Sequence, residues 1–272
     1  MIYYFKIMTV ILPFISFDVI DAVSELIGRI IYFSGNWRIR AISENLLSIG
    51  ASNFNIKNTF VNMVKNHFEM LKFYRMNKKY INEITEFAAD RPFEYYKTNT
   101  FILTGHFGNW ESASYFISTI GVSPCTVAEL VNVGEEMYSI MEMFRVKSGM
   151  VVFPLEDLTT PIKLRDSYRA GRTPILLVDR DITKAGIPLN IGEKILNVPK
   201  GAFYLANKLN AEITAGAYVR IKSKRYRFKV ILKSLGKSES MEDGAKKTIE
   251  SLFEMIRDYP EQWFAFDLNW EK

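Results

Sequence analysis

One cysteine and two histidines are all the thiolate and imidazole groups that 272 residues carry. A lone Cys125 excludes an intrachain disulfide and any cysteine-built metal cluster, and it fits a reducing compartment. His67 and His106 leave too few ligands for a zinc site of the usual kind, so no bound metal is expected. A Gly-x-Ser-x-Gly elbow is missing, which argues against a serine hydrolase. Aromatic ribonucleoprotein signatures are missing too, which argues against an RNA-binding module. No repeat, low-complexity tract or interdomain linker interrupts the chain.

What is present is enough for a full hydrophobic core. Apolar residues make up 48% and charged residues 24%, an ordinary balance that excludes disorder. The 20 Phe and 14 Tyr point either to a generous core or to an apolar binding surface. A formal charge of +5 suits anionic partners such as phospholipid head groups, nucleic acid or a phosphorylated cofactor.

The first seventeen residues, Met1 to Phe17, are apolar or aromatic apart from Lys6, Thr9 and Ser16. That run falls short of the roughly 20 residues a bilayer span requires, and Asp18 and Asp21 end it. It reads as a helix lying in the membrane interface, with a buried core helix and a signal segment as the other readings. From there to about Asn77 the pattern stays helical, with Phe60, Val64, Phe68, Leu71 and Tyr74 forming one stripe. Lys72, Arg75, Lys78 and Lys79 follow, either as a solvated last turn or as a head-group contact.

Around Asn99 the pattern changes to short apolar strands alternating with helices. Strands are predicted at Thr100 to Thr104, Met150 to Pro154, Pro174 to Val178, Glu212 to Ile221 and Arg225 to Leu232. Helices are predicted at Gly108 to Ile120, Thr160 to Ala170, Lys200 to Leu209 and Glu242 to Asp258, with a loop over Ile182 to Asn197. This alternation specifies an α/β fold with a largely buried mixed sheet. The division expected is a helical N-terminal region over 1–95 and a single α/β domain over 96–272, joined as one unit. The tract Arg220, Lys222, Lys224, Arg225, Arg227 and Lys229 reads as a solvated hairpin or a lipid or phosphate contact.

Chemistry concentrates in Gly105-His106-Phe107-Gly108-Asn109-Trp110-Glu111, where a strand gives way to a helix. Ligands collect at the carboxyl ends of strands in open α/β sheets. His and Glu five apart within one helix would diverge by roughly 140°. With His106 in the turn before the helix, Glu111 can reach back to the imidazole. A carboxylate on one ring nitrogen fixes the tautomer and makes the other a general base toward an attacking alcohol. The helix N-terminus adds N–H groups for a developing oxyanion. A histidine that merely ends a strand is the plainer alternative.

The same segment resembles the His-x4-Asp/Glu motif of the glycerolipid acyltransferase superfamily. Its full form, Gly-His-Phe-Gly-Asn-Trp-Glu, resembles the lipid A biosynthesis acyltransferase branch. That branch includes the lauroyl and myristoyl transferases and the phosphatidylinositol mannoside acyltransferases. Further matches are Phe144 to Gly149 around Arg145, Asp179-Arg180-Asp181 with Gly186 to Leu189, Lys200-Gly201-Ala202, and Tyr259 to Trp263. The Gly192-Glu193 pair also looks familial, whereas Asn190-Ile191 departs from the branch's aromatic pattern.

The resemblance implies transfer of a fatty acyl chain from acyl-CoA or acyl carrier protein to a hydroxyl of a membrane glycolipid or lysophospholipid. No cofactor is implied beyond that donor. His106 would be the base and Glu111 its partner. Arg145, Asp179, Arg180, Asp181, Glu129 and Asn109 would bind substrate, Arg145 gripping a phosphate or the acyl group through its bidentate fork. The expected place is the cytoplasmic face of the cell membrane, peripheral or singly anchored, with no nucleic-acid partner. An acyl-thioester or lipid hydrolase, or a lipid-binding protein with a degenerate site, stand as alternatives.

Overall fold

The structure, a computed structural model, describes residues 2–35, 38–98, 100–131, 134–183, 185–266 and 270–271. Met1 of the N-terminal run, Asn99, and residue 184 of the expected loop lie outside the described residues.

Four longer helices come first: α1 (Ile2–Ile11), α2 (Phe17–Phe33), α3 (Arg38–Ser48) and α4 (Ile56–Phe73). Ser16 caps α2 by accepting the Val19 N–H, and Asn55 caps α4 by accepting the Lys57 N–H. α4 buries Phe60, Val61, Val64, Met70, Leu71 and Phe73, each worth about 1.5–3 kcal/mol when fully removed from water. Lys72, expected in a solvated last turn, is buried instead. Its ammonium donates to the carbonyls of Leu12, Pro13 and Ile15 at 3.1, 3.0 and 2.7 Å, closing the turn between α1 and α2. No described helix is long and apolar enough to cross a membrane.

The rest alternates strands with helices: α5 (Lys78–Glu83), β1 (Thr85–Ala89), β2 (Thr100–Thr104), α6 (Trp110–Thr119), β3 (Pro124–Ala128), α7 (Glu135–Lys147) and β4 (Val151–Pro154). Then come α8 (Thr160–Arg169), β5 (Thr173–Leu177), β6 (Ile187–Ile191), β7 (Lys194–Val198), α9 (Lys200–Lys208), β8 (Glu212–Arg220), β9 (Phe228–Gly236), α10 (Met241–Asp258) and β10 (Trp270–Glu271). Seven strands form one mixed sheet in the order β1-β9-β8-β2-β5-β3-β4. The β8–β9 pair is antiparallel and every other neighbour is parallel. The fold class is α/β, as expected. β2 occupies the middle and is buried along its whole length, which is why Phe101 to Leu103 read as consecutive apolar residues without polar alternation.

The stretch expected to be a loop is largely a hairpin. Ile187 and Leu189 of β6 and Leu196 and Val198 of β7 alternate into the core, β10 adds a third strand, and Gly192 turns the chain at φ +59°. β9 starts at Phe228 rather than Arg225, because the Arg227 and Phe228 N–H groups are both drawn to the Ile84 carbonyl at the mouth of β1.

The sheet register fixes where the site lies. Thr104 of β2 pairs with Leu177 of β5 in a parallel ladder. Carried two residues past each strand end, the same offset brings His106 level with Asp179.

Candidate active site

Asp179 is 1% exposed, and among the described residues its hydrogen-bond donors come from the turn after β2 and from the closing segment. Its Oδ1 lies 2.8 Å from His106 Nδ1. Its Oδ2 accepts the His106 backbone N–H at 2.9 Å and the Trp263 indole N–H at 3.1 Å. Burial pushes the Asp179 pKa upward, but the imidazole beside it and these three donors outweigh burial and hold the carboxyl below its usual range. Asp179 is therefore an ionised acceptor that keeps the proton of His106 on Nδ1 and leaves Nε2 free to take another.

Two glycines make the arrangement possible. A Cβ on Gly105 would come within 2.9 Å of the Asp179 carboxyl. Gly108 has φ +68°, and a Cβ there would run into the Tyr218 carbonyl. The Gly108 N–H donates to Gln262 O at 2.8 Å and the Asn109 N–H to Tyr218 O at 2.6 Å. With the His106 N–H on Asp179, these amides of the turn are committed and do not serve an oxyanion.

Glu111 does not reach His106. Its Oε2 accepts from Arg145 Nε at 3.1 Å, and its Oε1 accepts from Arg145 Nη2 at 2.6 Å and from the Trp110 indole at 3.1 Å. The Arg145 side chain is 15% exposed and that of Glu111 12%, so the fork is closed on a protein carboxylate instead of a substrate phosphate. Burial disfavours the Arg145 charge, yet Glu111 raises its pKa overall.

The remaining predicted residues separate into two groups. Arg180 lies with His106 and Asp179 at the mouth and donates to Glu129 Oε2 at 3.1 Å. Asp181 is 1% exposed and is spent on its own loop, accepting the Thr183 N–H and hydroxyl and the Gly186 N–H. Asn109, also 1% exposed, caps α6 by accepting the Ser112 N–H, and neither residue lies in the wall of the mouth that holds His106.

Two cavities meet at Trp110. One, of about 190 Å³, is lined by His106, Trp110, Asp179, Arg180 and Phe264 to Phe266. The other, of about 50 Å³, lies under α6 and is mainly apolar, with Ile102, Ile117, Ile175, Leu177 and Leu232 in its wall and Glu111 and Arg145 as its charged groups. The Trp110 ring stands edge-on to the imidazole at 5.4 Å and lines both spaces.

The pattern of the bacterial lipid A biosynthesis acyltransferase family matches residues 3–272. The chain belongs to this family. It is an acyltransferase of the lipid A biosynthesis type, whose substrates are an acyl donor and a lipid acceptor. Among solved structures it is similar to the 1-acyl-sn-glycerophosphate (LPA) acyltransferase, PlsC, from Thermotoga maritima, at 11% identity. That likeness covers 89% of this chain and 99% of that chain with a TM-score of 0.42. No curated protein matches the chain.

Of the residues singled out along the chain, His106, Asp179 and Arg180 come together at the mouth, whereas Trp263 as a donor to Asp179 was missed. The signal was there, since Trp263 closes a motif already singled out, but nothing along the chain joins it to residue 179. Glu69 and Asn66 of α4 were also missed. A single acid between Phe68 and Met70 in an apolar helix face was the available hint.

Proposed function

We propose that this chain moves a fatty acyl group from a thioester, on coenzyme A or acyl carrier protein, to a hydroxyl of a membrane glycolipid or lysophospholipid. His106 is the general base, and Asp179 is the carboxylate that orients it. The observation that carries this reading is the 2.8 Å His106–Asp179 contact on the wall of the 190 Å³ mouth.

The acceptor oxygen attacks the thioester carbonyl carbon while its proton passes to His106 Nε2. The tetrahedral adduct collapses with cleavage of the C–S bond, and the imidazolium returns the proton to the departing thiolate. Products are an ester and a free thiol, and the enzyme is restored. Phe264, Phe266 and Trp110 flank the base with apolar surface, which suits the thioester end of an acyl chain. The cavity beneath α6 is a reservoir for the far end of that chain. At about 50 Å³ it is a third of the roughly 150 Å³ that accommodates benzene in a dry protein cavity. Side chains such as Trp110 must therefore swing aside as the chain enters.

The acceptor's membrane residence is supported by the first two helices. α2 presents Val19, Val23, Leu26, Ile30 and Phe33 to solvent along one stripe, and α1 presents Tyr3, Ile7, Val10 and Ile11. The β8–β9 connection adds exposed Lys222, Lys224 and Arg225, and Arg227 ties it to Asp21 of α2 at 2.7 Å. An apolar stripe beside a cationic loop suits peripheral binding to the cytoplasmic leaflet, where anionic lipids concentrate.

The test is transfer from a radiolabelled long-chain acyl thioester to total membrane lipid extract. Label is expected in lipid ester, and His106→Ala is expected to lower the rate by about two to four orders of magnitude with an unchanged melting profile. Release of free fatty acid alone, or a fully active His106→Ala protein, overturns the reading.

A further inference from the structure

Glu69 is fully buried in α4, and a carboxylate in that position must be paired to remain there. Its Oε1 accepts from Arg227 Nη2 and Nε at 2.7 and 3.1 Å. Its Oε2 accepts from Arg220 Nη1 at 3.3 Å and from Asn109 Nδ2 at 2.8 Å. The two arginines account for the charge. The bond to Asn109 is of another kind, because it joins α4 to the turn that carries the base.

The Asn109 amide is used at both ends. Its oxygen caps α6 through the Ser112 N–H at 3.2 Å, and its nitrogen is held by Glu69. One helical turn before Glu69, Asn66 Nδ2 donates to the Gly108 carbonyl at 2.7 Å, while its Oδ1 accepts from Arg220 at 2.6 and 2.8 Å. α4 thus grips residues 108 and 109, just beyond His106, through contacts that Asp179 does not share. The imidazole is fixed at its nitrogen by Asp179, and its backbone is fixed by this grip.

We propose that Glu69 is a positioning residue for acyl transfer: anchored on Arg220 and Arg227, its carboxylate holds Asn109 and thereby aims the turn that presents His106. The proposal rests on His106 being the base. Misplacing a catalytic group by about 1 Å costs on the order of a hundredfold in rate, so loosening this grip is expected to appear in kcat.

Three variants test it in the full chain, with labelled thioester and membrane lipid extract. Asn109→Ser keeps an N-cap acceptor for α6 but has no amide to reach Glu69. Its kcat is expected to fall about 10- to 100-fold with KM for the thioester nearly unchanged, and Tm is expected to fall by only a few degrees as Glu69 loses one of its four donors, so the protein stays folded at the assay temperature. Asn109→Asp keeps the cap but sets a second carboxylate against Glu69, so its kcat relative to wild type should rise as pH falls and one proton comes to be shared. Combining Asn109→Asp with Glu69→Gln exchanges donor and acceptor while conserving net charge. It should therefore be faster than Asn109→Asp alone. A folded Asn109→Ser protein with wild-type kcat, or a double variant no faster than Asn109→Asp, overturns the proposal. His106→Ala in the same assay separates the premises: retained activity there overturns the base assignment itself. Loss there with none in Asn109→Ser overturns only the role of Glu69.

Discussion

Replacing Asp179 by asparagine leaves volume and shape nearly unchanged and removes two things, the negative charge and the capacity to accept on both oxygens. Oδ2 receives two N–H donors, from the His106 backbone and Trp263, so the amide oxygen of the variant must take that place. Its NH2 group then faces His106 Nδ1, where the carboxylate oxygen had been at 2.8 Å. An N–H pointed at Nδ1 makes that nitrogen the acceptor and moves the ring proton to Nε2. The nitrogen that should receive the substrate proton is then already protonated. In the serine-protease triad this tautomer error lowers kcat by about ten-thousand-fold. With a single proton transfer at stake, a loss of about a thousand- to ten-thousand-fold is expected here. All three bonds to residue 179 lose their charge assistance, about 1 kcal/mol each, so the protein is destabilised but stays folded. Initial rates of thioester-to-lipid transfer, beside calorimetric melting of the same preparations, provide the measurement. Glu111→Gln is the control. Activity of Asp179→Asn within tenfold of wild type, with Glu111→Gln collapsing by a thousandfold, would refute the assignment and make Glu111 the orienting carboxylate.

Arg145→Lys is expected to act on stability before chemistry. It loses one of two bonds to a buried carboxylate, about 1.5–3 kcal/mol, which calorimetry would register as a fall of several degrees in Tm. Leu26→Glu with Ile30→Glu should abolish sedimentation with anionic vesicles and leave the fold intact, and equal vesicle binding would return that stripe to another role. His67 is stacked on Tyr4, with its Nε2 3.2 Å from the Tyr4 hydroxyl, and burial lowers its pKa from 6.5. The unfolded chain then binds the proton more readily, so this site's stability is present above about pH 6.5 and is lost as pH falls through the folded value. Protection of the α1 amides, corrected for the slower intrinsic exchange at low pH, should fall as pH drops below about 6.5 in the wild type but not in His67→Phe.

The central strand, the turn and helix after it, and the candidate histidine within that turn were legible along the chain, because each rests on local order. Phe101 to Leu103 form an apolar run flanked by threonines, Gly105 and Gly108 mark backbone that a side chain would obstruct, and Asn109 caps the helix that begins at Trp110. Local order also suggested the wrong partner. Glu111 is near His106 in sequence, but α6 turns it toward Arg145. Asp179 is 73 residues away and becomes the neighbour of His106 only because β2 and β5 lie parallel in a register pairing Thr104 with Leu177. The same limit applies to the basic residues. Lys72 and Arg227 look like surface charge in a list of residues, and both are drawn inward by acceptors that folding delivers from other segments. Sequence determined which chemical groups this protein has and which short segments hold them. Which donor meets which acceptor was decided by the sheet order and by the packing of α4 over the turn, since hydrogen bonding depends on distance in space and not along the chain.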